Sequence, residues 1–104
     1  MSRKLPPLKA LRAFESAARH RSFTKASDEL HVTHSAVSQQ IRILEDYFQQ
    51  PLFSRVKGKV EINAAGRTLL PVISEALDQI STVSAHLLAN SSMETLTVSL
   101  TAAF

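Results

Sequence analysis

Residues 22–48 read SFTKASDELHVTHSAVSQQIRILEDYF, and the spacing of the apolar residues within this stretch decides the fold. Phe23, Ala26 and Leu30 fall on one helical face behind Ser22 and Thr24, either of which can cap a helix start, so a short helix is expected over about 24–30. His31-Val32-Thr33 breaks that spacing. His31 falls at a helix exit, where the left-handed backbone conformation suits His better than most residues. Thr33 can cap a second helix, in which Val37, Ile41, Leu44 and Phe48 form a stripe at i, i+4, i+7 and i+11 before Pro51 stops it. This longer helix is expected over about 34–49.

Upstream, Leu8, Leu11, Phe14, Ala17 and Ala18 recur at three- and four-residue steps with Lys9, Arg12, Glu15 and Arg19 between them. They predict a helix over about 8–19, with Pro7 suited to its first turn. Downstream, 52–56 and 60–62 are short strand-like runs separated by the turn-permissive loop Lys57-Gly58-Lys59. A two-stranded hairpin is marginal alone, so it must pack on the helices. Asn63 is a good cap for a last helix over about 64–90, in which Leu69, Ile73, Ala76, Ile80, Val83 and Leu87 step 4, 3, 4, 3, 4. Pro71 is expected to kink this helix or cost it one hydrogen bond. Thr95–Leu100 alternates like a strand with nothing after it to pair with, as if the chain were cut from something longer.

A length of 104 residues with 44% hydrophobic and 20% charged residues bounds the chain to one modest core plus an appended element. There is no cysteine, so disulfides and thiolate metal sites are excluded and a reducing cytoplasm is the expected setting. The N-terminus is basic but runs into Pro6 and Pro7 rather than an apolar stretch, so neither a signal peptide nor a membrane span is expected. All 12 Lys and Arg lie in residues 1–67 with six acids, a formal +6, whereas residues 68–104 carry only Glu75, Asp78 and Glu94, a formal −3. The basic portion is suited to a polyanion, although a solvated basic face would look the same by charge alone.

Helix, short helix, three-residue turn, longer helix and basic hairpin is the order of a winged helix-turn-helix, giving a mainly α fold with a small wing and a long C-terminal helix. Opposite the apolar stripe of the longer helix lie His34, Ser35, Ser38, Gln39 and Arg42. These are mostly hydrogen-bonding side chains rather than a solubilising Lys/Glu mixture. An α-helix fits the major groove of B-DNA, and Gln can both donate to and accept from an adenine edge. Ser22, Thr24 and Lys25 at the start of the short helix, with Thr33, Arg42, Lys57 and Lys59, are placed for phosphate contacts. The wing lysines have a plain alternative as solubilisers of an exposed turn. His31 and His34 straddle a turn with no carboxylate or thiol to complete a metal site, and Ser38 and Ser54 have no paired His and acid, so an enzyme is not expected. A protein-docking module and an RNA-binding domain stay open as rivals, the latter weakened by the scarcity of exposed aromatics, Tyr47 being the only tyrosine.

Leu8–Phe14, Ser22–Ala26, Val32–Ile41, Leu44-Glu45 and Leu52–Arg55 together resemble the N-terminal domain of the LysR-type transcriptional regulators, in the branch of the glycine-cleavage activator and the β-lactamase regulator. The resemblance covers essentially the whole chain, and separate segments agree in order and spacing. It implies that His34, Ser35, Ser38 and Gln39 reach base edges and that Arg55 serves the wing and enters the minor groove. It also implies a double-stranded DNA partner, a homodimer that becomes a tetramer at full length, and no cofactor in this segment. A small-molecule effector would bind an absent domain of periplasmic-binding-protein type. The expected layout is a DNA-binding domain over 1–63, a dimerising linker helix over 64–91 and the start of the effector-binding domain over 92–104. Many members carry Gln-Pro where this chain has His34-Ser35, a basic residue at Gln39 and Thr at Asn63, so base preference does not transfer whereas the cap chemistry does.

Overall fold

The computed structural model describes the backbone of residues 4–102 and the side chains of residues 4–91. The elements run α1 (Leu8–His20), α2 (Phe23–Leu30), α3 (His34–Phe48), β1 (Phe53–Val56), β2 (Lys59–Ile62) and α4 (Ala64–Ala102). Each of the three caps expected from residue type is formed. Ser22 Oγ accepts from the Lys25 N–H at 3.0 Å, Thr33 Oγ1 from the Ala36 N–H at 3.0 Å, and Asn63 Oδ1 from the Gly66 N–H at 2.9 Å. Pro7 stands one residue outside α1 as its N-cap, with its carbonyl accepting from Leu11, rather than within the first turn.

The first three helices all end on a left-handed residue that is not glycine: Arg21 (φ 55), His31 (φ 57) and Gln49 (φ 57). Such a backbone costs roughly 1–2 kcal/mol at a residue with a Cβ, and the last carbonyls of each helix are satisfied in return. The Val32 N–H reaches the Ser27 carbonyl at 3.0 Å, and the Gln50 N–H reaches the Glu45 carbonyl at 3.1 Å.

The chain divides into two units, residues 1–73 and 74–104. In the first, Ala10, Ala13, Phe14 and Ala17 of α1 meet Ala26 of α2, Val37, Ile41 and Leu44 of α3, and Leu52. The small alanines let α1 approach its neighbours closely, and Phe14 and Leu44, both fully buried, fill the centre. The hairpin packs on this core as expected, through Phe53 and Ile62. The Phe53 ring lies 5.5 Å from both Phe14 and Phe23. Its register pairs Arg55 with Val60 and Val56 with Lys59, so the loop is two residues, Lys57 (φ 52) and Gly58 (φ 75), and Lys59 belongs to β2. Two consecutive positive φ angles match the right-handed twist of the flanking strands.

Leu69 and Leu70 of α4 pack against the same core, half-buried. The helix extends past the expected end near residue 90 to Ala102, and the strand-like alternation of Thr95–Leu100 lies within it. A helix satisfies the backbone groups of that segment internally, whereas a strand needs a partner to do so. Pro71 sits inside the helix, where it removes the N–H that would bond to the Arg67 carbonyl. In the second unit, Ile80, Val83, Leu87 and Leu88 are 57–69% exposed. No helix of the described residues is long and apolar enough to cross a membrane.

Candidate nucleic-acid interface

Val37, Ile41 and Leu44 anchor α3 in the core, and the helical period therefore turns Ser35, Gln39 and Arg42 to the opposite, exposed side. Ser38 is half-buried on one flank. His34, the first residue of α3, is exposed with its ring 6.0 Å from that of Phe23, so it packs on the start of α2 as well as facing outward. Ser22 and Thr33 use their oxygens as caps, which leaves each hydroxyl hydrogen available to an outside acceptor. Thr24 and Lys25 are exposed on the first turn of α2.

A cleft of about 260 Å³ separates α3 from the wing and brings together Ser38, Arg42, Glu45 and Arg55 over Phe23 and Phe53. Sequence alone gave no signal of this juxtaposition. Arg55 lies on the same strand face as Phe53, because residues two apart in a strand share a face, and this aims it along the helix side of the hairpin. Lys57 and Lys59 are exposed at the wing tip.

Ion pairing separates the cations into two groups. Arg19 pairs with Glu15 at 2.8 Å and with Glu29, His20 faces Glu29 at 3.5 Å, and Arg21 faces Glu61 at 3.9 Å. Lys25, Arg42, Arg55, Lys57 and Lys59 form no ion pair among the described residues. The acids that form ion pairs, Glu15, Glu29 and Glu61, do so with Arg19, His20 and Arg21, and none of these pairs involves a cation of α3 or the wing. Glu45 is engaged too: its Oε2 accepts the Leu52 N–H at 2.7 Å and holds the chain where it leaves α3 for the wing. Sequence reading missed this role for Glu45, since nothing in local spacing marks a side chain that bonds seven residues on.

Helices α2 and α3, joined by the tight turn at His31 and followed by a hairpin carrying unpaired cations, define a winged helix-turn-helix domain. The chain belongs to the LysR family: the profile described as "Bacterial regulatory helix-turn-helix protein, lysR family" matches residues 8–67. This is a family of DNA-binding transcription regulators, not of enzymes. The chain is 44% identical over its full 104 residues to the glycine cleavage system transcriptional activator of Escherichia coli K12, spanning 34% of that protein. It is 52% identical over 75 residues to the carbapenem-hydrolyzing beta-lactamase transcriptional activator of Enterobacter cloacae, 72% of this chain and 25% of that one. The chain therefore spans about a third or less of the length of these curated relatives. Among solved structures, an OxyR C206 mutant of Corynebacterium glutamicum superposes with a TM-score of 0.77 at 28% identity, over 85% of this chain and 28% of that one. The BenM DNA-binding domain in complex with catB site 1 DNA gives a TM-score of 0.70 at 26% identity, over 76% and 88%.

Proposed function

We propose that this chain is the sequence-specific, double-stranded-DNA-binding part of a LysR-type transcription factor, acting as a dimer with α3 in the major groove and the wing in the minor groove. The observation that carries the reading is the exposed, largely uncharged hydrogen-bonding surface of α3, at Ser35 and Gln39, beside the unpaired cations Arg42 and Arg55. Base edges are read by the former kind of group and phosphates are neutralised by the latter. That the BenM domain, of the same fold, was crystallised with DNA supports it.

In this arrangement Ser22, Thr24, Lys25 and Thr33 meet one strand's phosphates with hydroxyls and the N–H groups of the α2 start. Arg42, Lys57 and Lys59 meet others, and Arg55 reaches into the minor groove. His34, Ser35, Ser38 and Gln39 face the bases. Residues 1–63 bind DNA, 64–91 dimerise, and 92–104 lead towards an effector-binding domain that takes a small molecule.

The test is a salt titration on a duplex selected from random sequences, with single-stranded RNA as competitor. Log affinity should fall linearly with log salt, with a slope of about −0.9 per phosphate neutralised, and Lys57→Ala and Lys59→Ala should each reduce that slope by about one. Salt-insensitive binding, or displacement by the RNA, overturns the reading.

A further inference from the structure

Asn63 joins the chain leaving α3 to the start of α4. Its backbone N–H donates to the Leu52 carbonyl at 2.9 Å, its Nδ2 donates to the Pro51 carbonyl at 2.8 Å, and its Oδ1 accepts from the Gly66 N–H at 2.9 Å. Leu52 is fixed from the other side by Glu45 of α3, through the 2.7 Å bond to its N–H, and its side chain is buried. Gly66 closes the arrangement: a Cβ there would stand 2.5 Å from the Leu52 carbonyl oxygen and 2.8 Å from Ile62 Cβ, so the α4 backbone rests directly on the base of the wing. Arg67 adds a bond from Nη1 to the Ile62 carbonyl at 3.1 Å.

A helix cap requires only the Asn63 oxygen, and Thr or Asp would supply one. The second bond, from Nδ2 to Pro51, comes from a second polar atom on the other arm of the same side chain: Asp has no donor there, and Thr has only its one hydroxyl to serve both the Gly66 N–H and the Pro51 carbonyl. The amide orientation is unambiguous, because exchanging oxygen and nitrogen would set acceptor against acceptor at Pro51 and donor against donor at Gly66.

We propose that Asn63 is a positioning residue for operator recognition: through Pro51 and Leu52 it sets the angle between α3 and the first turns of α4, and thereby the half-site spacing that a dimer accepts. This rests on the dimeric reading above. From Asn63 to Ile73 the helix is about 15 Å long at 1.5 Å per residue. A swing of about 10° at its base therefore moves that point by roughly 3 Å, close to the 3.4 Å rise of one base pair.

The experiment uses the 104-residue chain and duplexes bearing two copies of the selected half-site, their separation stepped one base pair at a time. A single half-site duplex and thermal melts run alongside. The wild type should show one sharp optimum. Asn63→Thr and Asn63→Asp keep a cap, and should hold single-half-site affinity within about twofold while losing about fivefold of the preference for the optimum over its neighbours, the equivalent of one hydrogen bond. Asn63→Ala, lacking cap and tie, should also melt lower and marks what a stability loss looks like. A wild-type spacing profile in Asn63→Thr and Asn63→Asp overturns the inference and leaves the dimer standing. Half-site affinity falling in step with melting temperature also overturns it, as the role is then local capping. A wild type with no spacing preference overturns the dimeric reading itself, and the inference with it.

Discussion

At Gly66 two backbones meet with no flexible side chain between them to give way, since the nearest atom to an added methyl is the Leu52 carbonyl oxygen. Replacing glycine by alanine inside a helix ordinarily stabilises by about 0.5–1 kcal/mol. Forcing a methyl into a filled contact costs about 1–3 kcal/mol. The clash is the larger effect, so Gly66→Ala is expected to lower stability by about 1–2 kcal/mol in urea denaturation, and a stabilised variant would refute the packing argument. Gln39 is the contrasting case: its side chain is exposed and forms no hydrogen bond among the described residues, so its loss should leave the fold intact. Gln39→Ala should weaken binding to the best duplex by about 1–3 kcal/mol and to random duplex by much less. Equal losses on both would place Gln39 on a phosphate and turn α3 the other way in the groove. Val37, 1% exposed, is the control, because Val37→Asp buries an unpaired charge and should unfold the domain.

Between elements, α1 and α2 are joined by a polar cluster in which Arg19 reaches Glu15 and Glu29, and the buried Ser16 hydroxyl also donates to Glu29. The Arg19 hydrogen bond, then that of Ser16, lowers the Glu29 pKa from the usual 4.5 to about 2. A carboxylate whose folded pKa lies below its unfolded one adds stability that is fully present above about 4.5 and is lost as pH falls towards 2. Glu29 is 38% exposed, so solvent screening holds the contribution to about 1 kcal/mol or less. Glu29→Gln should therefore be less stable than the wild type by that amount at pH 6, with the gap closing between pH 4.5 and pH 2. A gap independent of pH would mean the charge is irrelevant to the joint. This cluster was not legible in the sequence, since Ser16 and Glu29 lie 13 residues apart. The helices and the Ser22, Thr33 and Asn63 caps were legible, because apolar spacing and cap chemistry act over three or four residues. The left-handed ending at Arg21 carries neither Gly nor Pro to announce it, whereas Pro51 announces the end of α3 but not the left-handed conformation of Gln49. The polar face of α3 was likewise readable from the helical period. Its cleft with Arg55 was not, because folding alone sets a strand beside that helix.

For the whole molecule, what matters is how the apolar seam of α4 divides. Leu69 is half-buried and packs with the core of the first unit, so part of its surface is already covered. Ala76 is exposed as well, and Ile80, Val83 and Leu87, at the same 3- and 4-residue steps, are 57–61% exposed, with Leu88 at 69% beside them. Fully burying such side chains is worth about 1.5–3 kcal/mol each, so covering the exposed part of this stripe on both copies gains about 7–14 kcal/mol, of the same order as an association cost of about 4–15 kcal/mol. A second copy laying the same stripe against this one is the simplest cover, and a two-fold pair would also present two α3 helices to a pseudo-palindromic site. Ile80→Asp places a charge at the centre of that stripe without touching the core of the first unit. Sedimentation should then find the wild type dimeric at micromolar concentration and the variant monomeric. The variant should keep its melting of the three-helix core and bind a single half-site as the wild type does, but bind the paired sites more weakly. A monomeric wild type would refute the dimer. If the variant stays dimeric, the contact lies elsewhere, and the regular steps from Ile73 to Leu87 have another cause.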